Sequence, residues 1–144
     1  NKNASECMVR ANANACTDVT GFGLAGHGMQ LAKASKINLV IDANKLPVLE
    51  GALNAVENNF LTRGDKSNRE YTKDFYAAKG NINKTIEHLI FDPQTSGGLL
   101  ISVPEKNAEA LLSDIKNNGD EKAAIIGHVD ILNEYPQGTI ILEY

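Results

Sequence analysis

The sequence predicts an α+β fold, a two-layer α/β sandwich in which helices cover a mixed, largely antiparallel sheet. Four short apolar segments of strand type alternate with amphipathic helical patterns. The last two of these segments, 123–132 and 139–142, are joined by a short link containing proline and glycine, which favours an antiparallel pair. The 144 residues suit one domain, 1–144, that is large enough to bury a core without disulfides or metal.

The first part of the chain alternates helical patterns with one strand. Ser5 can cap the first helix, and Leu24 and Leu31 lie on one side of the second. Pro47 suits the first turn of the third helix because its fixed φ is already helical. The predicted bounds are 5–14 and 24–35 for the first two helices, 37–41 for the strand and 47–57 for the third helix.

Residues 58–81 are polar and show no sustained periodicity. We interpret them as a long loop with a short extended piece near 74–76. A loop of this length inside a compact domain is usually functional, and a disordered surface excursion is the alternative.

The second half is predicted to add two helices and three strands. Pro104 begins the longer helix, Leu111 and Ile115 belong to its apolar stripe, and Gly119 ends it. Gly127 indicates a bulge within the strand that follows. The predicted bounds are 83–90 and 104–117 for the helices and 99–103, 123–132 and 139–142 for the strands.

Composition argues against several classes of function. The chain has 14 Lys and Arg against 18 Asp and Glu, a formal net charge of -4 and no basic run, so nucleic-acid binding has no electrostatic support. No apolar run approaches the roughly 20 residues of a membrane helix, and the first residues lack the apolar segment of a secretory signal. Cys7 and Cys16 form no metal cluster and predict buried thiols in a reducing compartment. We expect a cytoplasmic protein that binds neither nucleic acid nor membrane.

The most informative segment is 17–28, TDVTGFGLAGHG. Its glycine turn opens a helical pattern, so backbone N–H groups could approach a phosphate, and Asp18 could hold the cation that accompanies it. From the residues alone, Asp18 is either a metal ligand or a cap of its own turn. His27 lies in the first helical turn, where a charged imidazolium would oppose the dipole, so a neutral structural histidine is predicted.

Residues 21–26 also satisfy G-x-G-x-x-G, and Asp42 follows where a ribose-binding acid would belong. A dinucleotide-binding fold needs a buried, apolar strand directly before the glycines. Residues 12–18, NANACTD, cannot supply one, so this is the weaker alternative.

A second motif, DPQTSGGLL at 92–100, completes the pattern. In this order and at this separation, the two motifs resemble the carboxy-terminal domain of selenophosphate synthetases, also called selenide, water dikinases. The resemblance covers nearly the whole chain and implies the fold of the carboxy-terminal domain of the aminoimidazole-ribonucleotide synthetase (PurM) superfamily. It also implies a two-domain enzyme that uses magnesium and makes selenophosphate, AMP and phosphate from selenide, ATP and water.

In that family the amino-terminal domain carries the reactive cysteine or selenocysteine, the catalytic lysine, most ATP-binding carboxylates and the homodimer interface. The present chain contains none of it, so the resemblance implies no catalytic residue here and an inactive fragment when isolated. It assigns the metal to Asp18 and phosphate proximity to Thr20, Gly21 and Gly23. The segment 92–98 could be only a helix-to-strand turn, but we expect it to pack beside the first motif, with Thr95, Ser96, Gly97 and Gly98 shaping the site and doing no chemistry.

The sequence departs from the family pattern at a few positions. Cys16 and Ala25 stand where alanine and leucine are common, His128 replaces a usual glutamate, and 63–68 only loosely echoes a glycine-threonine-asparagine segment. Three alternatives share the glycine loop or need no chemistry: the carboxy-terminal domain of a purine-biosynthesis synthetase, that of a thiamine-phosphate kinase, and a non-catalytic binding domain. Phe22 in the first motif, together with 92–98, favours selenium chemistry.

Overall fold

The computed structural model describes residues 1–131 and 134–144. In this part of the chain the helices are α1 Lys2–Arg10, α2 Gly23–Ser35, α3 Ala52–Glu57, α4 Arg63–Thr72, α5 Lys84–Phe91 and α6 Glu105–Asn117. The strands are β1 Ala15–Asp18, β2 Asn38–Asp42, β3 Tyr76–Lys79, β4 Leu99–Ser102, β5 Gly127–Asp130 and β6 Ile140–Glu143. Single 3-10 turns cover Ala43–Lys45 and Lys73–Phe75. None of the helices described has the length and apolar character needed to span a bilayer.

The strands form a two-stranded antiparallel ribbon, β1–β4, and a four-stranded mixed sheet in the order β3-β6-β2-β5. Strand β6 runs parallel to both β3 and β2, and β5 runs antiparallel to β2. The predicted α+β fold with a mixed sheet is therefore confirmed.

The predicted pairing of the last two strands is wrong, because β2 lies between them. The link from β5 crosses the end of β2 instead of making a hairpin. There the side chain of Asn38 donates to the Tyr135 carbonyl at 3.3 Å and accepts the Thr139 N–H at 3.0 Å. These bonds hold residues 135 and 139 at the end of β2. Strand β6 then begins on the side of β2 opposite β5.

Two apolar clusters hold the domain together. The larger lies between α2, α5 and the four-stranded sheet, and its buried members include Met29, Phe91 and Leu142. The smaller joins α1 to α6, and its buried members are Ala4, Cys7, Leu111 and Ile115. The β1–β4 ribbon lies between them, because Leu100 packs on the first cluster and Leu99 and Ile101 pack on the second. The ribbon, and with it the end of β1, is therefore fixed from both faces.

Several boundaries differ from the prediction for identifiable reasons. Ser5 lies inside α1 and donates to the Lys2 carbonyl at 2.7 Å, so it is not the cap. Gly51 has φ +81° and stands directly before α3, which leaves Pro47 outside the helix. The strand predicted over 123–132 shortens to β5, and its residue 132 lies outside the described residues. Gly127 is paired with Ile41 and is not a bulge. A Cβ there would overlap the Val40 carbonyl oxygen.

Strand β1 was not predicted, and it occupies the residues before the glycine turn. A strand does precede the glycines, but it is not the buried, apolar strand that a dinucleotide fold needs, so the reason for rejecting that fold holds. Within the described residues, β1 is half-buried and pairs only with β4, antiparallel. A dinucleotide fold requires a buried parallel strand at this position, so that alternative still fails.

The predicted loop over 58–81 is instead α4, a 3-10 turn and β3. The extended piece begins at Tyr76, not at residue 74. Helix α4 starts at a Thr62 cap, whose hydroxyl accepts the Asp65 N–H at 3.4 Å. Its buried residues are Asp65, Asn68 and Thr72, three polar side chains on one face of the helix.

Candidate functional site

The structure brings the two motifs into direct contact. Asp18 at the end of β1 is paired with Leu99 at the start of β4. Beyond it, the Val19 N–H donates to the Gly98 carbonyl and the Gln94 N–H donates to the Thr20 carbonyl, both at 3.0 Å. The expected adjacency of 92–100 to the first motif is therefore present.

Gly97 makes the contact close. A Cβ at this position would lie 2.9 Å from the Val19 carbonyl carbon and would overlap the carbonyl oxygen. Thr95, Ser96 and Gly98 are exposed around it. The side chains of Thr95 and Ser96 make no hydrogen bond within the residues described. The carbonyl of Gly97 accepts from the Asn1 side chain at 3.1 Å. A role for these residues in shaping a ligand site stays a prediction.

Asp18 is exposed at the rim of the molecule. Across 1–131 and 134–144, its carboxylate has no ion pair and no side-chain hydrogen bond. Among the described residues, Asp18 lines neither the surface pocket formed by α1 and Cys16 nor the one formed by α3, α5 and Asp92. No group of three His, Cys, Asp or Glu suited to a metal occurs among the described residues. Asp18 is thus an available single carboxylate on an open surface, not part of a complete cation site.

This donor set still fits magnesium in part. Magnesium usually takes one or two protein carboxylates and fills its remaining positions with water and phosphate oxygens. An exposed carboxylate without a competing cation matches that demand, and a further ligand would have to come from outside the described residues.

Cys16 lies two residues before Asp18, so both side chains leave the same face of β1. Partial burial, and after it the nearby negative charge of Asp18, raises the pKa of the Cys16 thiol. Cys7 is buried, and burial raises the pKa of its thiol first of all. Both cysteines are free thiols, as predicted, although Cys16 is only half-buried.

The glycine turn is held by internal hydrogen bonds. They use backbone N–H groups that we expected to be free to approach a phosphate. The Phe22 N–H donates to His27 Nε2 at 3.4 Å, and the Gly23 N–H donates to the Thr20 carbonyl at 3.0 Å. The carbonyl of Gly21 accepts from Asn68 Nδ2 at 3.0 Å. Both N–H groups are therefore already satisfied inside the protein.

The start of α2 is closed in the same way. Gly23 has φ +67°, and a Cβ there would lie 2.7 Å from the Ile90 carbonyl oxygen and 3.0 Å from that of Asp92. These carbonyls pack directly against Gly23, so the first residue of α2 has no room for a side chain. Gly21 is different, since it is exposed and nothing lies within 4 Å of a Cβ built on it. Gly21 is therefore the open part of the turn.

His27 has the structural position predicted for it. It is buried, and its Nε2 lies 2.9 Å from Thr20 Oγ1. The same nitrogen accepts the Phe22 N–H at 3.4 Å, so the ring is tied to the turn at two points. The Phe22 ring is partly exposed and stacks on Tyr71 with ring centroids 5.0 Å apart.

Sequence reasoning missed the contribution of α4. Asn68, which is 4% exposed, donates to the carbonyls of Gly21 and Phe91 and so ties the first motif to the residue before the second. At the start of α4, a Cβ on Gly64 would overlap the Pro93 ring, so the helix also packs directly on the second motif. The signal that could have found this helix is Thr62 with an acid three residues later, a capping pattern.

A partly buried ionic network, centred on the buried Asp65, fixes α4 against α5. The Asp65 carboxylate accepts from Arg69 Nε at 3.1 Å and lies 2.9 Å from His88 Nδ1. The Arg69 guanidinium lies 4.3 Å from the centroid of the Phe91 ring and 3.5 Å from a Glu87 oxygen. His128, by contrast, is exposed on β5 in the other sheet and is no part of this region.

Residues 2–131 match the family described as AIR synthase related protein, C-terminal domain. The chain belongs to this family. The predicted resemblance is confirmed by curated relatives named selenide, water dikinase: the protein of Clostridioides difficile (strain 630) is 41% identical over 129 residues. That of Clostridium botulinum (strain Eklund 17B / Type B) is 43% identical over 129 residues.

In both alignments 90% of this chain is matched, but only 37% of the relative, so the chain spans a little over a third of their length. Among solved structures, the hydrogenase maturation protein HypE superposes with a TM-score of 0.63 at 19% identity over 96% of this chain and 37% of that protein. HypE in complex with ATP gives 0.64 at 20% identity over 96% and 35%. At this identity the likeness establishes the AIR synthase related fold alone.

Proposed function

We propose that this chain is the carboxy-terminal domain of a selenide, water dikinase, an enzyme that makes selenophosphate, AMP and phosphate from selenide, ATP and water. The observation that carries the proposal is 41–43% identity, over 90% of the chain, to relatives of that name. The contact between the two motifs supports it, because the segments that resemble the family form one surface.

Phosphoryl transfer depends on positioning and on neutralising the charge that develops on phosphate oxygens. In this proposal Asp18 would contribute one carboxylate to hold magnesium, whose positive charge would help neutralise the ATP phosphates. Gly21 provides the bare surface beside them. Thr20 and Gly23 hold the turn through their own hydrogen bond, and 95–98 support it from the second motif.

The remaining machinery belongs to the longer protein. We propose that an amino-terminal domain supplies the reactive cysteine or selenocysteine, the catalytic lysine and the other carboxylates, and that it forms a homodimer. A cytoplasmic location goes with this proposal, since ATP and free thiols such as Cys7 and Cys16 suit a reducing compartment.

The test is Asp18→Asn in the full-length enzyme, with ³¹P NMR of selenophosphate and AMP formed from ATP and selenide. We expect turnover to fall by about a hundredfold or more, because a charge-neutralising ligand is lost. The thermal midpoint should stay unchanged, since Asp18 is exposed and unpaired within the described residues. Asp120→Asn, another exposed carboxylate, is the control and should retain full activity.

Two results would count against the proposal. Wild-type turnover in Asp18→Asn would remove this residue from the metal site. ATP turnover by the wild-type enzyme that does not depend on selenide would overturn the reaction itself, and would direct attention to purine or thiamine-phosphate substrates.

A further inference from the structure

We propose that Asn68 is the positioning residue of the glycine turn, and that through this turn it sets the place of the Asp18 carboxylate. The inference rests on the proposed function for its link to Mg-ATP, but its structural part stands on this chain alone. Asn68 is buried, and its amide nitrogen donates to the Gly21 carbonyl at 3.0 Å and the Phe91 carbonyl at 2.8 Å. A side-chain amide has two N–H bonds, so both are used.

The peptide between Gly21 and Phe22 is held at both ends. Asn68 binds its carbonyl, and His27 accepts its N–H. Just before it, the Thr20 carbonyl accepts two N–H groups, from Gly23 and from Gln94. Rotation of this peptide would break a side-chain hydrogen bond on each side, so one orientation of the turn is strongly favoured.

Asn68 is itself fixed by its helix. Its backbone carbonyl accepts from Thr72 Oγ1 at 2.8 Å, one turn along α4. One turn earlier, Asp65 joins α4 to α5 through His88. The amide therefore projects from a rigid element, which a residue that aligns a loop requires.

The Asp18 side chain depends in part on this arrangement, because only its backbone is held, through the pairing of β1 with β4. Its side chain is exposed and makes no hydrogen bond in the part of the chain that the structure describes. Its position is determined by β1 on one side and by the turn on the other. Loosening the turn should therefore displace the carboxylate and weaken metal binding without removing any reacting group.

The test is Asn68→Asp, which keeps the shape of the side chain and replaces its donor by an acceptor facing two carbonyls. Asn68→Ala is the second variant, since it removes the donor without adding charge. The control is Asn107→Asp, whose amide donates to the Ala11 carbonyl at 3.1 Å away from the two motifs. In the full-length enzyme we measure the magnesium concentration that gives half-maximal turnover at saturating ATP.

We expect this concentration to rise about tenfold or more in both Asn68 variants and to stay unchanged in Asn107→Asp, because a small misplacement of a ligand is costly. The same variants of this chain are examined by NMR. The Phe22 amide hydrogen should exchange faster with solvent, and the NMR chemical shifts of the His27 ring nitrogens should change. The far-UV circular dichroism spectrum should be retained.

Wild-type magnesium dependence in folded Asn68 variants would overturn the role in metal positioning. Unchanged Phe22 and His27 signals would overturn the structural clamp. If the wild-type enzyme shows no selenide-dependent turnover, the proposed function fails, yet the NMR comparison still decides whether Asn68 aligns the turn.

Discussion

Gly97→Ala tests the contact that joins the two motifs. A Cβ at this position would lie 2.9 Å from the Val19 carbonyl carbon, overlap the carbonyl oxygen, and lie 3.1 Å from the Gln94 side chain. Inserting a methyl group into a tight site costs about 1–3 kcal/mol, and the upper end applies because backbone yields less readily than a side chain. Separating the segments also removes the hydrogen bond from Val19 to Gly98, worth about 1 kcal/mol.

We therefore expect the free energy of unfolding to fall by about 3 kcal/mol, which lowers the thermal midpoint by roughly 6–12 °C in a domain of this size. The assay is urea and thermal unfolding of this chain followed by circular dichroism. Gly98→Ala is the matched control, since nothing lies within 4 Å of a Cβ there, and it should stay within about 1 kcal/mol of wild type. Equal stability of the two variants would refute the idea that Gly97 is required for lack of space.

Two further predictions concern titration. Asp18→Asn should shift the pH profile of Cys16 alkylation to lower pH, because the carboxylate contributes to the raised pKa of that thiol; an unchanged profile would contradict their proximity. Burial, and then the hydrogen bond to Glu87, raises the pKa of Tyr76 above its ordinary value of 10.0, so the folded state holds this proton when the unfolded state has lost it. Stability should therefore decline as the pH rises above about 10, and less steeply in Tyr76→Phe; identical slopes in urea titrations would exclude this tyrosine as the cause.

Elements with an apolar period could be predicted from the sequence. The helix over 104–117 and the structure's α6 differ by one residue at the start, since Leu111 and Ile115 repeat at helical spacing and face the smaller cluster. The two motifs also predicted their own contact, because glycine marks a close approach of backbones. Each of these signals lies within a short stretch of residues, so it can be recognised in the sequence alone.

Helix α4 could not be found in that way. Its buried positions Asp65, Asn68 and Thr72 have helical spacing, but they are polar, so the apolar period that reveals a helix is absent. Strand β1 was not predicted for another reason. It has four residues, and its partner β4 lies more than eighty residues further along the chain. The hydrogen-bonding role of Asn68 depends on α4 and was missed together with that helix.

The polar face of α4 fixes the position of the helix against its neighbours more narrowly than an apolar face would. Apolar surfaces slide over one another at small cost, whereas hydrogen bonds require both a distance and a direction. A shift of α4 by one residue would separate the Asn68 amide from its two carbonyls and the Asp65 carboxylate from His88, and each lost hydrogen bond of a buried group costs about 1–3 kcal/mol. Replacing Asp65, Asn68 and Thr72 by leucine would keep α4 packed against its neighbours, but it would remove the hydrogen bonds that fix the position of the helix.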